Sequence, residues 1–139
     1  MKILGFAPFF FALLLSQTVP NQTRFLVKLS DTLDSRTSRK GDRIGAVVIA
    51  PVSLRGGRME GIVEEAEGAR LRFSFFTLRF AGRTVSIRSE LTGVVNSKGD
   101  PGRDDLGQPV RVDNGAMVGA GSATAIHEGA ELRLVGEER

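Results

Sequence analysis

Apolar and polar residues alternate along most of the chain beyond residue 23, the period-two signature of half-buried β-strands. In "RFLVKLS", Phe25, Val27 and Leu29 fall on one face and Arg24, Leu26 and Lys28 on the other. "IGAVVIAPV" is a continuous apolar run from Ile44 that Pro51 ends, the pattern of a central strand covered on both faces. "RMEGIVE" alternates only weakly.

The clearest pattern lies between Ala69 and Leu91. Leu71, Phe73 and Phe75 alternate with Arg70, Arg72 and Ser74; the phase then slips by one, so that Phe76, Leu78 and Phe80 are expected inward. A one-residue slip within a strand is the mark of a β-bulge. Ala81-Gly82 then supplies a two-residue hairpin turn. That turn sets Leu78 opposite Val85 and Phe76 opposite Ile87, with Thr77 and Ser86 on the other face.

Helical sequence is scarce. "EGIVEEAEGA" has Gly61 and Gly68 at its ends and no apolar stripe long enough to hold a helix. "VVNSKGDPGRDDLGQP", residues 94–109, is turn chemistry throughout and is expected to be a mobile loop. "VRV" and "ELRLV" supply late strands, and "NGAMVGAGSATAI", with Gly115, Gly119 and Gly121, is expected to cross tightly between two of them. The fold class expected is all-β: a small, mainly antiparallel barrel or sandwich of six to eight strands.

The N-terminus changes the picture of where the protein works. Lys2 precedes an apolar run from Ile3 to Leu15 and a polar stretch with Ser16 and Thr18. This is the layout of a secretory signal peptide, with cleavage after Ser16 or Thr18. The run is shorter than the roughly 20 apolar residues of a membrane span. The expected division is therefore a signal peptide at 1–18 and a single β-domain at 19–139, exported and periplasmic or envelope-associated. The chain has no Cys, Trp or Tyr, so neither disulfides nor thiolate chemistry enter. Of 19 Lys and Arg, Lys2 lies in the signal, leaving 18 against 16 Asp and Glu, a surplus too small to argue for specific nucleic-acid binding.

Candidate chemistry is sparse. In "LSDTLDSRTSRKGDRIGAVVIAPV", Asp31, Asp34 and Asp42 offer hard oxygen ligands, but their spacing fits no calcium loop and Arg36, Arg39, Lys40 and Arg43 repel a cation. Asx-type turns account for the same residues, with Lys40-Gly41-Asp42 leading into the strand. His127 is the single histidine and has no partners at metal-ligand spacing. "GAGSATA" lacks the G-x-S-x-G elbow of a serine nucleophile, and Glu60, Glu64, Glu65 and Glu67 read as a solvated edge rather than an acid/base pair. No catalytic, cofactor or metal site is expected, and the chain is read as not an enzyme.

Residues 19–52, "VPNQTRFLVKLSDTLDSRTSRKGDRIGAVVIAPV", resemble the opening of a group of exported bacterial β-domains. These begin with an "aGT" turn, a strand, an "L…S" step, "GD" and a "pV" strand. The layout is more distantly similar to the β-barrel domain of the outer-membrane channel component of type IV secretion and conjugation systems. "IHEGAELRLV" is similar to the "G…L.L" strand that closes such domains, and Gly115–Gly121 to the glycine zipper that precedes it in several of them. The chain departs from the pattern at Asn21-Gln22-Thr23, in place of Gly-Thr, and at "RGGRMEGIV", in place of "iP.Gs.v.G". The resemblance implies an envelope β-domain without known catalysis.

Two functions remain. One is a non-enzymatic structural or protein-interaction module whose partner is another envelope protein or a second copy of itself. The alternative is an anion-binding domain that turns Arg70, Arg72, Arg79 and Arg88 toward a lipid head group, a glycan or a polyanion, with peripheral contact to a membrane or anionic polymer. It requires those arginines to converge on one solvent face.

Overall fold

The alternating segments become the wall of a closed barrel. The computed structural model describes residues 19–139; the expected signal segment, 1–18, lies outside the described residues. In chain order the strands are β1 (Thr23–Leu29), β2 (Leu33–Asp34), β3 (Arg43–Ala50), β4 (Arg58–Glu67), β5 (Arg70–Phe80), β6 (Arg83–Val95), β7 (Val110–Asp113), β8 (Ala116–Gly119), β9 (Ala125–Ile126) and β10 (Glu131–Glu138). A single 3-10 turn, Val52–Leu54, follows β3.

Strands run in the order β4-β3-β1-β10-β6-β5, every neighbouring pair antiparallel, and β5 pairs back onto β4. The result is a six-stranded antiparallel barrel with additional strands, so of the two architectures expected the barrel is the one formed. Closure removes the free edges that a sheet of this size would otherwise expose. The hairpin β7–β8 extends the wall along β5, and β2–β9 forms a separate two-stranded ladder.

Inward positions make one core. Phe25, Val27 and Leu29 of β1 are buried, as are Leu71, Phe73, Phe75 and Leu78 of β5 and Leu132 and Leu134 of β10. Phe73 and Phe75 meet edge to face, their ring centroids 6.2 Å apart. β3 lies between β4 and β1 as a central strand should, but only Ile44, Ala46 and Val48 are buried. Its outward Val47 and Ile49 are half-exposed, because a barrel wall has no second layer over it.

Bulges give the wall its curvature. β4 and β5 are out of step between Glu60↔Thr77 and Gly61↔Phe75, which leaves Phe76 as the inserted residue, and again between Val63↔Phe73 and Glu65↔Arg72, which leaves Glu64. Each such insertion bends a strand and sharpens its twist. The phase slip expected in β5 is therefore real, but Phe76 is not inward: it is 43 % exposed. The inserted residue takes up the change of phase on the outer surface, and Leu78 is the next to return to the core. Consequently Phe76 does not face Ile87. The β5–β6 ladder begins at Thr77↔Ser86 and includes Leu78↔Val85 as expected. Beyond it, the Ser89 hydroxyl donates to the Phe75 carbonyl at 2.8 Å and accepts from its N–H at 3.2 Å. Ala81 (φ 53°) and Gly82 (φ 76°) make the expected turn with the positive φ at both positions that a type I′ hairpin requires.

"EGIVEEAE", whose first part alternates only weakly and which lacks a helical stripe, belongs to the ten-residue strand β4. Asn114-Gly115, with φ of 50° and 78°, is a second two-residue hairpin turn, so "NGAMVG" opens a strand paired with Arg70–Arg72 of β5 rather than a glycine-rich crossing. Residues 94–109, expected to be mobile, carry Asn96 and Asp104 as buried polar centres with hydrogen-bond partners inside the segment.

Candidate functional site

Strand alternation places Arg70, Arg72, Arg79 and Arg88 on the outside of the barrel, as expected, but on separate parts of it. Arg70 Nε lies 3.1 Å from Glu65 and its Nη1 3.5 Å from Asp113. The Glu65 hydrogen bond raises the Arg70 pKa above its ordinary value, with burial opposing and Asp113 adding to the rise. Arg72 lies 3.8 Å from the same Glu65 and donates to the Asn114 carbonyl at the tip of the β7–β8 hairpin. Arg70 and Arg72 thus clamp that hairpin to the wall. Arg88 is across from Glu137 at 3.9 Å on the β6–β10 surface. Arg79 lies toward the Ala81-Gly82 end, 3.5 Å from Glu60. Only Arg70 and Arg72 come together, and acidic side chains already face all four.

The arginines that do gather are Arg55, Arg58, Arg79 and Arg83. They surround a concavity of about 480 Å³ floored by Gly56, Phe80, Ala81 and Gly82 at the turn-bearing end of the barrel. Arg58 stands directly opposite Arg79 in the β4–β5 register, and both are exposed. Opposite residues of an antiparallel pair share a face with Cβ atoms about 5 Å apart, so like charges there repel. Arg55 is held from behind, its Nε donating to the Ile49 carbonyl at 2.9 Å. Sequence reasoning nominated only Arg79 of this group, because pairing Arg58 with it requires the β4–β5 register.

At the opposite end, polar side chains serve the loops. Asp104, fully buried, accepts from the backbone N–H groups of Leu106 and Gln108, from the Gln108 side-chain amide at 2.7 Å and from the Thr124 hydroxyl at 2.8 Å. Ser35 accepts from the Thr124 N–H at 2.9 Å, tying the first loop to the same centre. Asn96 donates to the Asp104 carbonyl and accepts from the N–H groups of Lys98 and Asp100. Asp105 collects the Ser97 hydroxyl and N–H and the His127 N–H. Partial burial would raise its pKa, but these hydrogen bonds outweigh it and hold the carboxyl below its ordinary range. The Ser97 hydroxyl thus donates to a carboxylate, and His127 meets that carboxylate through its backbone; the arrangement fixes a loop end.

The opening loop is built of turns, as read. Asp34 accepts from the Arg36 N–H and takes its guanidinium in a two-pronged pair at 2.9 and 2.7 Å. That pairing lowers the Asp34 pKa against the opposing effect of burial. Asp42 accepts from the Arg39 N–H, and Asp31 reaches across to the Gly45 N–H at 2.7 Å. The three aspartates are spent on separate backbone groups. No set of three His, Asp or Glu side chains among the described residues is grouped so as to hold a metal ion.

Comparison of the chain with protein-family models and with curated protein sequences finds no match.

Proposed function

We propose that this chain is a non-enzymatic β-barrel module of the bacterial cell envelope, exported by its N-terminal segment and acting through protein contact, with another envelope protein or a second copy as partner. Export is supported by the Lys2 and Ile3–Leu15 pattern. The observation that carries the interaction role is Phe76. A phenylalanine displaced outward by a bulge leaves a large apolar ring in water, which burial against a partner would relieve. It borders a concavity of about 550 Å³ on the β3–β4 wall, lined also by Ile62, Asp31, Arg43, Arg58 and Glu60. Apolar and charged groups together on one concave surface suit a protein contact.

Anion binding by a face made of Arg70, Arg72, Arg79 and Arg88 has less behind it, since carboxylates stand within 4 Å of every one of these guanidinium groups. The module reading is tested with a photo-crosslinking residue at position 76 in the full chain expressed in a Gram-negative host, with position 84 as an outward control. A discrete adduct from 76 and none from 84 is the expected result, whether the partner is another protein or a second copy. Equal labelling from both positions, or no adduct from 76, would sink the reading.

A further inference from the structure

The turn-bearing end of the barrel holds charge that the rest of the wall does not balance. Arg55, Arg58, Arg79 and Arg83 surround one cleft of about 480 Å³, and Glu60 is the one carboxylate recorded in an ion pair with any of them among the described residues. Several arginines elsewhere are paired. Arg70 has Glu65 and Asp113, Arg36 has a two-pronged Asp34 and Arg88 has Glu137. The cleft therefore combines a concave floor with at least three guanidinium charges left over.

Position by position, the cluster runs against what stability alone selects. Arg58 directly opposite Arg79 is a like-charge cross-strand pair, which costs stability in a sheet. Arg83, set opposite Phe80 by the tight turn, lines the same cleft. Arg55, one 3-10 turn beyond Val52, is oriented by its bond to the Ile49 carbonyl, leaving its terminal nitrogens as donors. Guanidinium groups present paired N–H donors that match two oxygens of one phosphate, and several of them converging on a cleft select an anion with oxygens on more than one side.

We propose that this cleft is a binding site for a phosphate-bearing anion, with Arg58, Arg79 and Arg83 contacting the phosphate oxygens and Arg55 closing the side next to the 3-10 turn. Val52, at the start of that turn, is 74 % exposed, so the same end offers an apolar tip beside the charge. The phosphate can accordingly belong to a free diphosphate or to the head group of an anionic phospholipid, and the shared chemistry is the oxyanion. Arg58 lines both this cleft and the Phe76 concavity, whereas Arg55, Arg79 and Arg83 line the cleft alone, so the Arg83→Gln result bears on the anion site and not on the protein-contact reading.

The test uses the protein without its signal segment and follows the arginine Nε–H resonances during titration with inorganic pyrophosphate. Flotation with vesicles of phosphatidylcholine alone, or of equal parts phosphatidylcholine and phosphatidylglycerol, runs in parallel. Saturable shifts confined to Arg55, Arg58, Arg79 and Arg83 are expected with pyrophosphate if the free anion is the ligand. Flotation only with phosphatidylglycerol, lost in Val52→Ser, identifies the head group. Arg58→Gln and Arg83→Gln should each weaken binding about tenfold, the loss of one charged contact, whereas Arg70→Gln with Arg72→Gln should leave it unchanged. Arg58→Gln should also melt no lower than the parent, because it relieves the repulsion with Arg79; a structural arginine would show the opposite. No saturable shift and no selective flotation, or equal weakening by the Arg70 and Arg72 changes, overturns the proposal.

Discussion

Thr124 donates its hydroxyl to Oδ2 of Asp104 at 2.8 Å, joining two fully buried residues that belong to different loops at one end of the barrel. The carboxyl group also receives two backbone amides and the Gln108 side chain, so four donors depend on one side chain. Donors stranded without a partner each cost about 1–3 kcal/mol. Asp104→Ala is therefore expected to destabilise the protein by about 3 kcal/mol or more, read from urea midpoints. Asp104→Asn, whose side-chain oxygen can still accept from the two amides, should cost less than half as much. Equal losses for the two variants would mean that packing, not hydrogen bonding, sets the value of this position.

The same centre bears on residues 94–109. Amides of Leu106 and Gln108 are bonded to Asp104, and the Gly102 N–H to the Val94 carbonyl. Hydrogen exchange at those three amides should be slow and should track global unfolding. Exchange at rates near those of an unstructured peptide would restore the mobile loop that the turn-rich sequence suggests.

Phe75 and Phe76 are neighbours with opposite surroundings, 1 % and 43 % exposed. Truncating Phe75 to Ala should cost roughly 3–5 kcal/mol, as a buried aromatic does. The same change at Phe76 should fall within about 0.5 kcal/mol, the range of ordinary surface positions. A comparison of thermal melts decides between this placement and the inward Phe76 that the phase slip suggests.

What was legible in the sequence follows from which forces are local. The β5–β6 hairpin could be read because Ala81-Gly82 and the facing pairs on either side specify the same register. The bulge could be read as a phase slip, but alternation alone does not say which residue is expelled. That is decided across the ladder, where Gly61 lets the β5 backbone approach: a Cβ there would lie 1.9 Å from the Ser74 carbonyl oxygen. β4 was obscured by its glutamates and this glycine, both of which suit the outside and the close approaches of a curved wall. With β4 legible only as a weak alternation, its register against β5, and with it the Arg58–Arg79 pairing and the basic cleft, was out of reach. The Asn114-Gly115 turn was within reach, since Asn-Gly between apolar residues is a strong hairpin signal. Asn96 and Asp104 were not, because turn residues look alike whether water or the fold satisfies them.

Gly61 itself yields a sharp expectation. Gly61→Ala sets a methyl against backbone, not against a side chain that could swing aside, so β5 must shift or the bulge must be lost. Overpacking of this kind costs about 1–3 kcal/mol or more. Gly45, whose nearest neighbour to a new Cβ would be 3.6 Å away, should accept Ala at little cost. Similar melting temperatures for the two variants would show that the bulge slides to make room.

Acid should unfold this protein partly through two aspartates. Hydrogen bonds and the guanidinium of Arg36 lower the Asp34 pKa in the folded state, and donors from Ser97 and His127 lower that of Asp105 against the effect of burial. In the unfolded chain both titrate near about 3.9. Between the folded and unfolded values the unfolded chain binds more protons, so the stabilisation is fully present above about pH 4 and is lost as pH falls through the lowered folded values. Urea midpoints measured from neutral pH downward should therefore fall below about pH 4, and Asp105→Asn should flatten that fall. The Arg36 side chain that pairs with Asp34 is exposed, so the share from that pair should also shrink with added salt, as screening shortens the reach of exposed charges. The Asp105 share, which comes from hydrogen bonds within the loop, should survive the same salt. If Asp105→Asn unfolds with the parent's pH dependence, the loop's hydrogen bonds to that carboxylate are not a source of its stability.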